Sequence, residues 1–433
     1  MKTDKSSRNI IIRLICILST VAIALSMTSC MPLGLLPGID ISIGGSLDDA
    51  LDSMFGYEEE NEQEQEHEGV VIPNNFGNNN ESTDINVEGK EDIKHAAAKG
   101  LLSSLIILAS SEDGSRGCAG SGVIYKMDKA KGSAIIITNY HVVYDIENRS
   151  NGYIFDNINL YLYGSEYENM ALEAHYVGGS MYYDIALLYV EGSEVIKNCG
   201  ARPADFADSD NLRAGQTVMA IGNAANEGVS VSKGVVSVDS EYIDMKGVDN
   251  KTMISLRVIR VDAAVNSGNS GGGLFNTEGN LVGIVNAKII ESGIESIGYA
   301  IPANVAKAIA ENILYYCSDG KNTSVMRPLI GITVQAVSSY AHYNEQTGLV
   351  DIYETVGVAE VSDDSIAKGI IREGDVLKSI TVNGKTKQIT RQFHVIDAML
   401  EARDGQTITI TVVRGNAERH LKITITSSCL AKY

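Results

Sequence analysis

From about residue 97 onward the chain is written in short apolar runs broken by Gly, Asn and Asp. "SGVIYK", "SAIIITN", "INLYLYG", "DIALLYV", "GQTVMAIGN", "KGVVSV", "SLRVIRVD" and "NLVGIVNA" are either continuously apolar or alternate with polar positions. Runs of this length and spacing predict β-strands, and many of them in succession predict a barrel or sandwich. One longer stretch, "PANVAKAIAENILYYC" at 302–317, repeats its apolar positions at helical spacing and closes the segment. A second unit runs from about 327 to 428. There "RPLIGITVQ", "VGVAEVS", "DVLKSITVNG" and "QTITITVVRG" predict strands. "TRQFHVIDAMLEAR" places Phe393, Ile396, Met399 and Leu400 on one helical face, "RDGQ" ends that helix in a turn, and a shorter helix is expected near 364–369.

Residues 31–95 lack such a pattern. "YEEENEQEQEHEG" and "PNNFGNNNESTD" are polar and poor in core residues, so this segment is expected to be a disordered, solvated spacer. Ahead of it stand Lys2, Lys5, Arg8 and Arg13, then the 14-residue apolar stretch "LICILSTVAIALSM". That is short for a membrane span and suits a secretion signal. It ends in "SMTSC", which resembles a bacterial lipobox with Met27 where Leu is usual, and the resemblance implies lipidation at Cys30. The rest of the chain is then expected outside the cytoplasm, held at the cell membrane.

Charge sharpens this picture. The net charge is −20 over 433 residues, and 16 acidic against 3 basic residues within 31–99 supply −13 of it. Such a balance argues against nucleic acid as a partner. Two of the six cysteines, Cys16 and Cys30, fall in the signal. The other four, Cys118, Cys199, Cys317 and Cys429, are widely scattered, and either free thiols or bridges fit the sequence. No cysteine–histidine cluster suggests a metal, and no cofactor is expected.

The candidate chemistry lies in "VNSGNSGGGLFN", residues 265–276, which packs four glycines around two serines. "GNSGG" also satisfies G-x-S-x-G, the nucleophile elbow of α/β-hydrolases. An elbow needs a helix directly afterwards and its acid and base downstream. Here glycines, a turn and a strand follow, and the downstream histidines His342, His394 and His420 lie in the second unit, so a lipase or esterase is rejected. Upstream, His141 follows the apolar run of "IIITNYHVV", and Asp184 heads that of "YYDIALLYV". The order His141, Asp184, Ser270 is that of chymotrypsin-like enzymes, with separations of 43 and 86 residues (141 to 184, 184 to 270). A serine hydroxyl needs an imidazole to take its proton and a carboxylate to orient that imidazole. Ser270 is therefore the expected nucleophile, His141 the base and Asp184 the orienting acid. Asp145 competes for that last role but sits in a loop only four residues from His141. The backbone N–H groups of Gly268 and Ser270 are expected to form the oxyanion hole, with Asn269 shaping the loop and Gly271 and Gly272 admitting the substrate.

"TNYHVV", "DIALL", "AIGN", "DAAVNSGNSGGGLFN", "LVGI" and "IGYAIP" together resemble the HtrA (Deg) serine proteases over residues 97–430. The resemblance implies a mainly β fold: a chymotrypsin-like double β-barrel at 96–318, then a small α+β PDZ domain at 327–430. These follow a lipoprotein-type signal at 1–30 and an acidic tether at 31–95. It implies an ATP-independent endopeptidase for unfolded or misfolded proteins, a homotrimer, and C-terminal peptides bound by the PDZ loop Leu329, Ile330, Gly331 and Ile332. Ser267 and Gly273 stand where the family usually has prolines, which is expected to loosen the oxyanion loop. Ala264, six residues before the nucleophile, is expected at the base of the primary pocket, with Asn223, Val285, Asn286 and Ala287 lining it. An uncharged base predicts cleavage after small or medium apolar residues. A non-catalytic, peptide-binding scaffold is the alternative; the complete triad speaks against it.

Overall fold

The computed structural model describes residues 93–165, 170–289 and 297–433, and the signal, Cys30 and the acidic run up to residue 92 lie outside them. All the described residues fall in one compact unit, Gln63–Tyr433.

The chain enters through α1 (Ile93–Ser103), a helix that the polar reading of 31–95 and the first quoted strand both miss. A seven-stranded antiparallel sheet follows: β1 (Ser104–Ser110), β2 (Gly117–Asp128), β3 (Ser133–Thr138), β4 (Asn157–Leu162), β5 (Leu172–Glu173), β6 (His175–Ser180) and β7 (Ile185–Val190). Its order is β5-β4-β1-β2-β3-β7-β6. The two edge strands are separated in sequence by Ala174 alone, so the sheet wraps back on itself. β3 and β7 are buried at every position, which explains why they read as continuous rather than alternating runs. Their residues Ile136 and Leu188 meet Leu105, Ile124 and Leu160 in one core. The one-turn helix α2 (Tyr140–Val143) follows β3 and carries His141, and α3 (Glu194–Asn198) follows β7.

The next six strands close into a barrel: β8 (Thr217–Gly222), β9 (Ser230–Lys246), β10 (Met253–Val261), β11 (Gly273–Asn276), β12 (Leu281–Val285) and β13 (Gly298–Pro302), ordered β10-β13-β12-β11-β8-β9. This is the chymotrypsin-like pair of β-barrels, with the His and Asp on the first and the Ser loop on the second. Helix α4 (Ala303–Tyr316) then packs Val305, Ile309 and Ile313 into a core shared by both.

β14 (Met326–Pro328) leads to a six-stranded sheet of β15 (Ile332–Asn344), β16 (Leu349–Val361), β17 (Val376–Val382), β18 (Lys385–Gln388), β19 (Thr407–Arg414) and β20 (Ala417–Thr424), and β21 (Leu430–Lys432) returns to pair with β14. Helix α5 (Phe393–Glu401) covers it, burying Val395, Ala398, Met399 and Leu400. β15 is an edge strand of this sheet. The expected helix at 364–369 is instead a series of turns, with Lys368 N–H donating to Ser365 O (3.1 Å) and Ile370 N–H to Ala367 O (3.0 Å).

Helix α5 is held to the second barrel by charge as well as by packing. Arg257 on β10 is 5% exposed; it donates to Asp397 on α5, to Asp210 (3.0 Å) and to Ser240 Oγ (2.9 Å), and lies 3.4 Å from the Phe393 ring centroid. Lys387 reaches Asp210 at 3.1 Å, and Arg391 reaches Asp239 at 3.2 Å. Cys118, Cys199, Cys317 and Cys429 are unbridged. Burial pushes the Cys118 thiol up to about 11 and Cys317 up to about 12, so neither is a reactive thiolate at neutral pH.

Candidate active site

Asp184 stands at the entrance to β7 with a left-handed backbone, φ +48°, a conformation that Asp tolerates better than most residues and that is found disproportionately at functional sites. Its carboxylate is 3% exposed and accepts three hydrogen bonds: from His141 Nδ1 (2.7 Å), from the His141 N–H (2.9 Å) and from Asn286 Nδ2 (2.7 Å). Asn139 Nδ2 adds a bond to the Asp184 backbone carbonyl (2.8 Å). A carboxylate on Nδ1 fixes the tautomer that leaves Nε2 able to accept a proton. Asp145 is engaged elsewhere: it forms a two-toothed ion pair with Arg116 at 2.7–3.2 Å.

Ser270 is 5% exposed, and its Oγ accepts from Ala287 N–H (3.1 Å); the structure makes no hydrogen bond between it and His141. Around it, Gly268 has φ +92°, and a Cβ there would lie 2.1 Å from Asn223 O, so only glycine fits. The N–H groups of Gly268 and Ser270 meet no acceptor among the described residues, whereas the intervening Asn269 N–H donates to Asn266 O (3.0 Å). Two unengaged backbone donors thus flank one that is used, as an oxyanion hole requires.

Three expectations change. Asn286 does not line a pocket: it is fully buried, and its amide is turned onto Asp184. Val285 beside it is 1% exposed and belongs to the barrel core, which leaves Ala287, half-buried, and Ala264, exposed, to face a substrate. Asn223 is also buried, with Oδ1 accepting from Gly228 N–H (2.9 Å). Gly271 and Gly272 serve the protein's own backbone rather than the substrate, because a Cβ would lie 2.1 Å from Ser121 O and 2.4 Å from Ile221 O, respectively. In the loop before β15, Leu329 N–H donates to Cys429 O (2.7 Å) and is not available to a carboxylate; Ile330 and Gly331 N–H meet no acceptor among the described residues.

Asn286 as a partner of Asp184 could not be read from "LVGIVNA", where an Asn after a strand looks like any turn residue. Ser121, whose hydroxyl donates to Gly268 O (2.7 Å), was equally hidden within "GSGV".

Compared with known proteins, residues 120–284 match the family "Trypsin-like peptidase domain". The chain is 35% identical over 322 residues to "Serine protease Do-like HtrA" of Bacillus subtilis (strain 168), covering 72% of this chain and 64% of that protein. It is 34% identical over 313 residues to "Serine protease Do-like HtrB" of the same organism, covering 71% and 62%. A further relative, "Serine protease Do-like HtrA" of Lactococcus lactis subsp. lactis (strain IL1403), is 29% identical over 331 residues, 74% of each chain. The chain therefore spans less than two thirds of the two Bacillus relatives. The solved structure "HtrA-type protease AlgW with tripeptide" superposes with a TM-score of 0.51 at 24% identity, covering 78% of this chain and 97% of that one, a likeness of fold.

Proposed function

We propose, from the similarity of this chain to the HtrA/Deg serine proteases and its trypsin-like domain, that it is a serine endopeptidase acting on unfolded or misfolded proteins outside the cytoplasm. The observation that carries the reading is the Asp184–His141 pair beside Ser270 with the two unengaged N–H groups of Gly268 and Ser270. In this mechanism Ser270 Oγ turns from Ala287 to His141 and attacks the substrate carbonyl carbon while its proton passes to His141 Nε2. The carbonyl oxygen takes up the negative charge and is met by the Gly268 and Ser270 N–H groups. His141 then protonates the leaving amine, the C–N bond breaks, and an acyl-enzyme remains on Ser270. Water repeats the sequence and releases the acid.

Ala264, six residues before Ser270, offers no charge to a substrate side chain, so cleavage is expected after Val, Ala or residues of similar size. Cleavage-site mapping on a denatured protein tests this, and a preference for Lys or Arg would contradict it. β15, an edge strand beside α5, supports a PDZ-type role in which a C-terminal peptide adds as a strand and Ile330, Gly331 and Ile332 receive its carboxylate. The domain division 96–318 and 327–430, the homotrimer and the lipid anchor on Cys30 belong to the same proposal, and rest on the resemblance and on the signal-like N-terminus. Among the described residues no helix is long and apolar enough to cross a membrane. Mass spectrometry of the membrane fraction for a diacylglyceryl group on Cys30 tests the anchor.

A further inference from the structure

The oxyanion loop lacks the prolines expected at Ser267 and Gly273, yet its peptide planes are pinned one after another. Ser267 O accepts from Ala225 N–H (2.8 Å), Asn269 O from Gly272 N–H (2.9 Å), and Ser270 O from Ser121 N–H (2.8 Å). The plane between the two oxyanion donors, Gly268–Asn269, is held by the Ser121 hydroxyl on Gly268 O at 2.7 Å. Rotating that plane changes ψ of Gly268 and φ of Asn269 together. A net change in these two torsions, one not undoing the other, would turn the Gly268 and Ser270 N–H groups away from a common point.

Among these pins, the hydroxyl is the one supplied by a side chain. Ser121 lies on β2 of the first sheet and is 0% exposed, so no substrate touches it. Its Oγ also accepts from Asn223 N–H (2.8 Å), in the loop that carries Ala225, and its carbonyl accepts from Thr138 Oγ1 (2.7 Å), three residues before His141. One buried serine thus ties the base segment, the loop that orients the first donor and the plane between the donors.

We propose that Ser121 is a positioning residue that holds the oxyanion hole formed in the absence of substrate, replacing the rigidity that prolines would give. The proposal rests on Ser270 being the nucleophile. A donor that contributes directly to an oxyanion hole is worth about 10²–10³ in kcat, and one misaimed by loss of its support forfeits part of that. Ser121→Ala is therefore expected to lower kcat about 10- to 100-fold on a peptide ester or amide, with KM unchanged. It should weaken a peptide boronate carrying a terminal Val analogue by a similar factor, because that inhibitor forms a tetrahedral adduct on Ser270 with an oxygen in the hole. Binding of the uncleaved peptide, measured in the Ser270→Ala background, should not change. A merely structural role would instead lower the thermal midpoint and the active fraction and leave the boronate affinity per folded molecule as it was.

Ser121→Cys serves where the alanine form does not fold. It keeps the side chain's length with a weak S–H donor and should lose several-fold in both kcat and boronate affinity. Folded variants with unchanged kcat and boronate affinity overturn the proposal. An unchanged protein that neither hydrolyses the peptide nor binds the boronate overturns the reading of Ser270 itself, and the role of Ser121 with it.

Discussion

At the residue scale, the glycines of "NSGNSGGG" do different work from one another. Gly268 is required by its positive φ and by Asn223 O; Gly271 and Gly272 are required because Ser121 O and Ile221 O lie where side chains would go. Gly271→Ala, at φ +84°, is thus predicted to cost about 2–4 kcal/mol from overpacking and backbone strain together. Chemical denaturation should show that loss; a change in KM at unaltered stability would restore the substrate-admitting role. Asn286→Ala removes one of three donors from a buried carboxylate. Hydrogen bonds to charged groups are worth about 1.5–3 kcal/mol, so kcat should fall about 10- to 100-fold while KM holds. Steady-state kinetics on a short peptide checks this. The three side chains of the proposed triad stand out in the sequence because residue type, strand context and order all point one way. Asn286 and Ser121 do not, because their roles come from contacts between segments more than 100 residues apart in sequence, which no local pattern encodes.

At the element scale, most strands were legible because Gly, Asn and Asp mark their ends and their burial is nearly complete. Helix α1 was hidden by its polar approach. It packs through Gly100, where a Cβ would meet Ile221 and Phe275 of the second barrel, so its place is set by tertiary contact rather than by an apolar stripe. The turns at 364–369 show the reverse case, in which the sequence suggested a helix but Ala367 N–H binds Ile330 O (3.2 Å) in the loop before β15. The junction of β10 with α5 depends on Arg257. Burial pushes the Asp397 carboxyl up, and Arg257 and Lys387 oppose that shift. Arg257→Ala leaves Asp397 buried without its nearest partner and should cost about 3–5 kcal/mol. The double variant Arg257→Met, Asp397→Leu should recover most of that loss in urea unfolding. Equal stability of the single and double variants would show that the pair is not coupled.

At the scale of the whole molecule, the same junction makes stability depend on pH. Burial drives His394 on α5 down to about 4, with Lys387, Arg257 and Arg391 adding to that shift and Asp210 opposing it. The unfolded chain, with an ordinary histidine near 6.5, therefore takes up the proton first as the pH falls. The contribution is complete above about 6.5, declines between about 6.5 and 4, and is lost below, by about 3 kcal/mol in all. Asp397 works in the opposite direction, and Asp210, held low by Lys387 and Arg257 against the effect of burial, enters only at lower pH. His394→Asn keeps an acceptor for the Thr390 and Arg391 N–H groups and should flatten the loss of thermal midpoint between pH 7 and 5. An unflattened slope would place the titration elsewhere. That the third sheet is bound to the barrels in this way was not legible, since nothing in the sequence around Arg257, Asp210, Lys387 and Asp397 marks them as partners before the fold buries them together.

The central claim is that this arrangement cuts proteins at Ser270, and the most direct measurement compares the full chain with its Ser270→Ala variant on an unfolded protein substrate. Loss of a triad serine removes on the order of 10⁶ in turnover in a serine protease of known kinetics. Fragments from the unchanged chain and none from the variant are the predicted result, and their ends would report the pocket preference. Equal cleavage by both, or by neither, would contradict the account.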